Sequence, residues 1–550
     1  MFRPAPGRPI EPACCGYGAG RPESHTITRR GNTPGNPRKR SREKPMNHNL
    51  YSVLSARFPA DPSASFIETA EGKLYSYADL QEISGRFARL LVDLGVAKGD
   101  RVAVQVEKSP EAIFLYLGCL RAGAIYLPLN TAYTESELSY FLGDAEPRVV
   151  VCRPASEAPM RRIAEAAAVS EVLTLGQNLD GTLIARSAGL DPDVGCVESA
   201  AGDTAAILYT SGTTGRSKGA MLSHRNLSSN AETLLELWGF VPGDVLLHAL
   251  PIFHTHGLFV ATNSVLLNGS GMLFMNRFDA DRMLELMPRA TVMMGVPTFY
   301  TRLLAHPGFT REVCANMRLF ISGSAPLLEE TFEQFRQRTG HTILERYGMT
   351  ETNMNTSNPL DGERRAGTVG FPLPGVEVRI ADDDGNILGV NETGVLEVRG
   401  PNVFKGYWRM PEKTASEFRD DGFFISGDVA RIDERGYVHI VGRAKDLIIS
   451  GGFNVYPKEI ELCVDALDGV QESAVIGLPH PDFGEAVVAV VIRENGGKIE
   501  APEIIGALKG ELANFKVPKK VVFLDELPRN TMGKVQKNVL RDSYKDSFTG

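Results

Sequence analysis

Residues 209–219, YTSGTTGRSKG, have the composition of a loop that binds polyphosphate. They follow the apolar run at 205–208, which predicts a buried strand. Glycines let the backbone approach an anion, Ser and Thr hydroxyls donate hydrogen bonds, and a lysine offsets negative charge. The pattern is not that of a P-loop, because no G-x-x-x-x-G-K-[ST] spacing occurs, and a flexible linker is the alternative. The residues predicted to contact phosphate are Thr210, Ser211, Gly212, Thr213, Thr214, Gly215 and Lys218.

Two arginines and a serine are candidates for binding a carboxylate. Arg302 follows Phe299 and Tyr300 in the apolar segment VMMGVPTFYTRLL, where a cation needs a partner to offset its desolvation. Arg346 lies in ERYGMTE and Ser324 lies in SGSA. Guanidinium groups pair with carboxylates in a bidentate geometry. For Arg346, an ion pair with Glu345 or with a helix carboxylate is the alternative.

The elements around Ser324 and Arg346 predict that both lie at one crevice. RLFISGSAPL is typical of a strand, LEETFEQFRQRTG of a helix that ends at Gly340, and TILERYGMTE of a second strand. Two strands joined through a helix run parallel, so their carboxyl ends meet at one edge of the sheet. Ligands of open α/β sheets bind at that edge. We therefore expect Ser324 and Arg346 close to the glycine-rich loop.

Helical and strand patterns alternate from residue 50 onward, which predicts an α/β fold with parallel sheets flanked by helices. Residues 76–96 have the apolar spacing of an amphipathic helix, whereas VAVQV and VVVC are typical of buried strands. Residues 1–45 differ from the rest, because they are rich in Pro, Gly and Arg and have few large apolar side chains. We expect them to form a disordered extension without a structural role.

Composition excludes several classes of protein. The 550 residues are 43% hydrophobic and 23% charged, which is ordinary for a globular protein. The net charge of -8 argues against a nucleic acid or an anionic membrane as partner, and no apolar stretch is long enough for a membrane span. The seven cysteines form no C-x-x-C pairs that would indicate zinc or a disulfide framework. A cytoplasmic protein with reduced thiols is expected.

Six further motifs accompany the glycine-rich loop in an order that resembles the adenylate-forming superfamily of acyl-CoA synthetases, firefly luciferases and nonribosomal adenylation domains. They are PIFHTHG at 251–257, YGMTE at 347–351, SGD at 426–428, GRAKDLI at 442–448, GGFNVYP at 451–457 and PRNTMGKVQK at 528–537. The resemblance extends from about residue 47 to the end of the chain. It implies a large N-terminal domain at 46–443 and a smaller, mobile C-terminal α+β domain at 444–550 that rotates about the hinge residue Lys445.

The resemblance also implies roles for individual residues. Lys534 would be the catalytic lysine that bridges the substrate carboxylate and the α-phosphate of ATP, with Thr350 and Glu351 also catalytic and Glu351 holding Mg²⁺. Around ATP and CoA the implied contacts are Tyr347 and Gly348 at adenine, Asp428 and Arg443 at the ribose, and Gly451 and Gly452 in the CoA tunnel. Around the acyl group they are His256 as a carboxylate contact and His254 as a gate.

ERYGMTE, together with SGSA and FYTR, resembles the malonyl-CoA synthetases in particular. Arg302, Ser324, Arg346 and His256 around a small acyl pocket would suit a substrate with a second carboxylate. The expected reaction joins malonate or methylmalonate to coenzyme A, with ATP and Mg²⁺. The alternatives are a medium-chain or aromatic acyl-CoA synthetase, an adenylation enzyme that loads a carrier protein, and a nucleotide-binding regulator without catalysis. Monomer and homodimer both remain open.

Overall fold

The computed structural model describes residues 47–210, 217–450, 453–530 and 533–548. The predicted residues 1–45 and the loop residues Ser211, Gly212, Thr213, Thr214 and Gly215 lie outside this part. The strands, in chain order, are β1 (Ser65–Thr69), β2 (Leu74–Ser76), β3 (Arg101–Gln105), β4 (Ile125–Pro128), β5 (Val149–Cys152), β6 (Glu171–Thr174), β7 (Thr204–Thr210), β8 (Lys218–Ser223), β9 (Val245–His248), β10 (Gly271–Phe274), β11 (Val292–Gly295), β12 (Leu319–Ser322), β13 (Leu344–Met349), β14 (Asn353–Ser357), β15 (Phe371–Pro372), β16 (Glu377–Ala381), β17 (Gly394–Arg399), β18 (Phe424–Ile432), β19 (Val438–Arg443), β20 (Ile448–Ser450), β21 (Phe453–Val455), β22 (Val470–His480), β23 (Gly484–Arg493) and β24 (Lys520–Leu524).

The helices begin where the sequence provides caps. Ser76 and Asp79 form a reciprocal capping box at the start of the helix predicted at 76–96. Gly340, with φ of 79°, ends the helix predicted before it. The α-helices are α1 (Leu50–Ser55), α2 (Tyr77–Asp93), α3 (Pro110–Arg121), α4 (Glu135–Ala145), α5 (Glu157–Ala166), α6 (Thr182–Ser187), α7 (His224–Leu237), α8 (Asn263–Asn268), α9 (Ala280–Leu286), α10 (Pro297–Ala305), α11 (Glu329–Thr339), α12 (Pro411–Ser416), α13 (Pro457–Asp465), α14 (Ala501–Glu511) and α15 (Lys537–Tyr544).

A six-stranded sheet carries the two ends of the predicted phosphate loop. Its order is β6-β5-β3-β4-β7-β8, and every neighbouring pair is parallel except β7 and β8. β7 and β8 form an antiparallel pair in which Thr210 lies opposite Lys218. The glycine-rich loop therefore connects two paired strands, and the helix α7 starts only after β8.

A nine-stranded sheet carries the motifs of the predicted acyl site. Its order is β15-β14-β13-β12-β11-β9-β10-β1-β2, and the pairs from β13 to β1 are all parallel. β12, α11 and β13 form the predicted strand-helix-strand unit, with Ser322 opposite Glu345. The segments that follow β9, β11, β12 and β13 consequently emerge at one edge of this sheet.

One continuous apolar core joins the two large sheets. Every residue of α3 is buried, including Glu111 and Arg121, and most of its sequence is accordingly apolar. Phe114 of α3 lies 6.4 Å, between ring centroids, from Phe66 of β1 in the nine-stranded sheet, and the same core includes Val102 and Val104 of the six-stranded sheet. This packing fixes the two sheets relative to each other and so fixes the edges that carry the motifs.

Two smaller sheets complete the described part. β16-β17-β18-β19 is antiparallel, and β21-β20-β23-β22, with β24 beside β23, forms a five-stranded sheet near the C-terminus. β23 alternates between two apolar clusters, one containing Val487 and Ala489 and the other Val488 and Val490. A strand that is buried on both faces is apolar throughout, as AVVAVVI is.

The predicted α/β class, with large sheets rich in parallel strands and a smaller C-terminal domain, is confirmed. None of the helices in the described residues has both the length and the apolar character that crossing a membrane requires.

Candidate active site

Arg346 is a buried cation that forms no ion pair with any carboxylate of the described residues. It lies on β13, its side chain is 2% exposed, and its Nε and Nη2 atoms have no hydrogen-bond partner among the described residues. Its guanidinium lies against Gly323, where a methyl group would be only 2.5 Å from Cζ. Burial lowers its pKa to about 9, because the surrounding groups do not replace the water that would solvate the charge.

The neighbouring Glu345 does not pair with Arg346, although the sequence offered that alternative. Successive side chains of a strand point to opposite faces, so Glu345 faces away from Arg346. Its Oε1 accepts the backbone N–H of Leu327 at 3.0 Å. Burial raises the pKa of Glu345 to about 8, so that at neutral pH it carries little negative charge to offer the guanidinium.

His256 and Ser324 lie beside Arg346. The Nδ1 of His256 is 3.2 Å from Oγ of Ser324, while its Nε2 is buried without a partner in the described structure. Burial, followed by the charge of Arg346, holds the pKa of His256 well below its usual range, so the ring is neutral. Ser324 has φ of 72°, a conformation that costs a non-glycine residue about 1–3 kcal/mol and that clusters at functional sites.

His254 adjoins this group. Its Nδ1 accepts the backbone N–H of His256 at 3.2 Å. Burial and the charges of Arg346 and Lys534 lower its pKa to about 4, so His254 is also neutral near pH 7. Both histidines of PIFHTHG can therefore contact a ligand as hydrogen-bonding groups without adding charge.

Arg302 does not join this group, and the expectation that it is a buried cation was wrong. It lies on α10, whose buried residues are Tyr300 and Leu303, and its own side chain is exposed. Its guanidinium is 5.9 Å from the ring of Phe278, and no described carboxylate pairs with it. The segment is amphipathic, and position 302 falls on its solvent side, which a count of apolar neighbours in sequence did not reveal.

At the predicted nucleotide site, Tyr347, Asp428 and Arg443 form a connected set. The hydroxyl of Tyr347 donates to Oδ2 of Asp428 at 2.5 Å, and Nε of Arg443 lies 2.5 Å from Oδ1 of the same carboxylate. Asp428 on β18 lies directly opposite Arg443 on β19, so the register of these two strands brings the two side chains into contact. The charge of Asp428 raises the pKa of Arg443.

Glu351 lies at the end of the predicted phosphate loop. Its Oε1 accepts from the hydroxyl of Thr210 at 3.1 Å and lies 3.1 Å from the hydroxyl oxygen of Tyr407. The described residues include no group of three His, Cys, Asp or Glu side chains that could hold a metal. A cation here would be bound by one carboxylate together with phosphate oxygens and water, which is the way Mg²⁺ binds with nucleotides. The donors present therefore fit a magnesium-bound triphosphate.

Lys218 is held by a residue that the sequence did not single out. Its Nζ lies 3.0 Å from Oε1 of Glu417 and 4.1 Å from the centroid of the Tyr407 ring. Tyr407 in turn donates to the other oxygen of Glu417 at 2.7 Å. Glu417 directly follows α12 in a charged segment that has no distinctive pattern. Its contact with Lys218 becomes visible only in the structure, where this segment packs close to β8. The only local indication of this contact in the sequence is Tyr407, an aromatic residue beside a glycine in FKGYW, and this pattern is weak.

Gly348 and Thr350 connect these groups. Gly348 is required by the backbone, because a methyl group on it would lie 1.9 Å from the carbonyl oxygen of Asn353 in the paired strand. Thr350 lies in the turn after β13 and is half-buried. The turn thus places Tyr347 and Glu351 on the two sides of one short segment.

Lys534 approaches the same cleft from the C-terminal part of the chain. Its backbone N–H donates to Oδ1 of Asn530 at 2.9 Å, and Gly533 lies against Thr298 of α10. The side chain is exposed at the cleft, yet the protein around its amine and the nearby Arg443 lower its pKa to about 8. Lys445 is exposed in a turn between β19 and β20. Gly451 and Gly452 lie outside the described residues.

The chain is similar to known proteins over most of its length. A family model described as AMP-binding enzyme matches residues 54–408, and one described as AMP-binding enzyme C-terminal domain matches residues 459–534. A malonate–CoA ligase of Arabidopsis thaliana is 34% identical over 535 residues, which cover 87% of this chain and 86% of that protein. A long-chain-fatty-acid–CoA ligase of Bacillus subtilis (strain 168) is 31% identical over 540 residues, covering 91% and 95%.

Among solved structures, ATP-bound MatB from Rhodopseudomonas palustris matches with a TM-score of 0.90 and 59% identity, covering 92% of this chain and all (100%) of that one. The chain belongs to the AMP-binding enzyme family. Within it, the chain is an AMP-forming acid–thiol ligase of the acyl-CoA synthetase type, a class that uses ATP and coenzyme A.

Proposed function

We propose that this enzyme joins malonate to coenzyme A through a malonyl-adenylate, releasing pyrophosphate and then AMP. One observation carries the choice of acid: the guanidinium of Arg346 is 2% exposed and lacks an anionic partner in the described structure. An unpaired buried charge is costly, and a ligand carboxylate is the group that pairs with it best. A diacid offers that carboxylate and keeps its second one for the reaction.

The acyl pocket suits the distal carboxylate of malonate. Arg346 supplies the charge, and the neutral rings of His256 and His254 and the hydroxyl of Ser324 supply further hydrogen-bonding groups. A monocarboxylic acid with an aliphatic tail would leave the guanidinium unpaired, so the same groups would reject it. The Arabidopsis relative named malonate–CoA ligase, which is 34% identical to this chain, supports this substrate.

In the first step, the reacting carboxylate attacks the α-phosphorus of ATP, and pyrophosphate leaves. Asp428 and Tyr347 would orient the nucleoside, and Thr210 and Lys218 would hold the phosphates. Glu351 would hold Mg²⁺, which supplies charge neutralisation at the phosphates when bound. The amine of Lys534 would contact both the carboxylate and the α-phosphate, where its charge stabilises the transition state electrostatically.

In the second step, the thiol of CoA displaces AMP and forms the thioester. We propose that residues 444–550 rotate about Lys445 between the steps as a domain separate from 46–443. This rotation would remove Lys534 from the cleft and bring Gly451 and Gly452 to the CoA tunnel. Lys445 is exposed in a short turn between two sheets, a position from which a change of backbone angle is possible without repacking a core.

Steady-state kinetics with matched acids tests the proposal. Malonate, methylmalonate, acetate, octanoate and monomethyl malonate are compared; the last keeps the size of a small diacid but loses one charge. Because Arg346 pairs with that charge, kcat/KM for malonate should exceed that for monomethyl malonate about 10³-fold. A preference for octanoate, or equal values for malonate and its monoester, would contradict the proposal.

A further inference from the structure

Lys108 is a buried amine whose position the reaction does not explain. It lies between β3 and α3, is 7% exposed, and has no carboxylate partner among the described residues. Its Nζ is 4.3 Å from the centroid of the Phe274 ring. Burial lowers the pKa of Lys108 well below its usual range. A buried lysine in this setting needs a specific hydrogen-bonding function to offset its desolvation.

The hydrogen bonds of Lys108 lead to His248, at the end of β9. Nζ donates to the backbone carbonyl of His248 at 2.9 Å and lies 3.0 Å from its Nδ1. The other ring nitrogen, Nε2, is 2.9 Å from the carbonyl oxygen of Gly257. Because a carbonyl only accepts, Nε2 must carry the ring proton, which leaves Nδ1 as the acceptor for Lys108. The amine thus fixes both the tautomer and the orientation of His248.

The carbonyl that receives this bond lies next to the acyl site. Gly257 follows His256 directly, and both belong to a π-helix at His256–Thr262, a rare element that occurs mostly at functional sites. The hydroxyl of Thr262 donates to the same carbonyl at 3.0 Å. Gly257 is tightly placed, since a methyl group on it would lie 2.2 Å from the carbonyl oxygen of Pro251. A shift of this carbonyl would therefore move His256.

We propose that Lys108, acting through His248 and the carbonyl of Gly257, is a positioning residue that sets His256 against Ser324 in the acyl pocket. Lys108 lies in the segment that follows β3 of the six-stranded sheet, whereas His248 ends β9 of the nine-stranded sheet and His256 lies in the segment after β9. The contact therefore ties the acyl pocket to the neighbouring layer. The choice of malonate as the acid rests on the proposed function, but the positioning of His256 holds for whichever acid the pocket binds.

The test uses full-length Lys108→Met, which keeps the length of the side chain and removes the donors. ATP–pyrophosphate exchange is measured with malonate varied and then with ATP varied, alongside thermal unfolding. We expect the KM for malonate to rise about tenfold while the KM for ATP stays within about twofold, because a displaced His256 affects the acid only. Lys98→Met is the control. Lys98 precedes β3 on the surface, and its Nζ lies 2.7 Å from Oδ2 of Asp203. Its substitution should leave both KM values unchanged.

Thr262→Val is a second variant, since its shape is nearly that of threonine and it removes only the other donor to Gly257. It should raise the KM for malonate a few-fold in the same direction, and it decides the question if Lys108→Met does not fold. A fall in kcat with an unchanged malonate KM would show a purely structural role and overturn the inference. If the wild-type enzyme prefers octanoate, the proposed substrate fails, and the same KM comparison with octanoate then decides the positioning role separately.

Discussion

The acyl side and the nucleotide side of the cleft differ in how their charges are compensated. On the nucleotide side, Asp428 pairs with Arg443, and Lys218 pairs with Glu417. On the acyl side, Arg346 is more deeply buried than Lys218, yet two of its nitrogens have no partner within the described residues. The enzyme thus holds one half of the cleft in a compensated state and leaves the other with an uncompensated cation.

This difference separates common chemistry from substrate choice. Paired groups keep one geometry and can receive the same nucleotide in every turnover, whatever the acid. An unpaired buried cation destabilises the free protein and gains most from a ligand that brings the missing charge. Selectivity should therefore depend on Arg346, and nucleotide affinity should depend on the ion pairs around Lys218 and Asp428.

The largest effect is expected for Arg346→Met. Removing the guanidinium should lower kcat/KM for malonate about 10³-fold, because the distal carboxylate would be buried without a partner. The KM for ATP should stay within about twofold, since the nucleotide side is compensated separately. Thermal unfolding should occur at the same or a higher temperature, because an unpaired buried cation is replaced by an apolar group. Initial rates and a thermal melt on one preparation check all three outcomes.

Arg364→Met is the matched control for that variant. Arg364 is also partly buried without a carboxylate partner in the described structure, but it donates to the carbonyl oxygens of Thr342, Pro359 and Leu360. Its loss should lower thermal stability and leave selectivity for malonate unchanged. Equal losses of malonate selectivity in both variants would contradict the claim that Arg346 binds the distal carboxylate.

Lys534→Ala should give the next largest effect. It should affect one of the two half-reactions, whereas Arg346→Met should affect one side of the cleft. Adenylation should fall about 10²–10³-fold, the range for loss of one preorganised donor at a developing charge. Thioester formation from preformed malonyl-adenylate and CoA should be largely retained, since the proposed rotation removes Lys534 before that step. The two half-reactions are measured separately, and a comparable loss in both would contradict the two-step scheme.

The elements were predictable from the sequence because their patterns are local. The strand-helix-strand unit at β12, α11 and β13, and with it the shared edge of Ser324 and Arg346, follows from periodicity and Gly340. The exposure of Arg302 did not follow, because nine residues of α10 leave open which side faces solvent. Glu417 and the link from Lys108 to His248 join segments more than 100 residues apart, and no local pattern encodes such contacts.

Glu417→Gln tests the compensated side. Lys218 would lose the charge of its partner while the hydrogen bonds of the amide remain available, so the lysine should be held less firmly near the phosphates. The KM for ATP should rise about tenfold, and the KM for malonate should not change, which is the reverse of the pattern expected for Arg346→Met. Glu412→Gln, a change on the neighbouring helix α12, serves as the control. A larger effect on malonate than on ATP would show that the two sides are coupled.

The smallest expected effect is that of pH on kcat and on the KM for malonate. Its direction follows from the pKa values of Lys534 and Arg346. In the proposed mechanism Lys534 acts as an ammonium, and burial lowers its pKa to about 8, whereas burial lowers the pKa of Arg346 to about 9. From pH 7 to pH 8.5, the protonated fraction of Lys534 falls from roughly nine-tenths to about one quarter, so kcat for adenylation should fall about fourfold. Over the same range the KM for malonate should stay nearly constant, because the guanidinium is still mostly charged. The rate of pyrophosphate release, measured at each pH, gives both kcat and the KM for malonate. In the control variant Lys534→Arg, kcat should not change over this pH range. If the KM for malonate rises at a lower pH than kcat falls, the order of the two pKa values is the reverse of the one expected here.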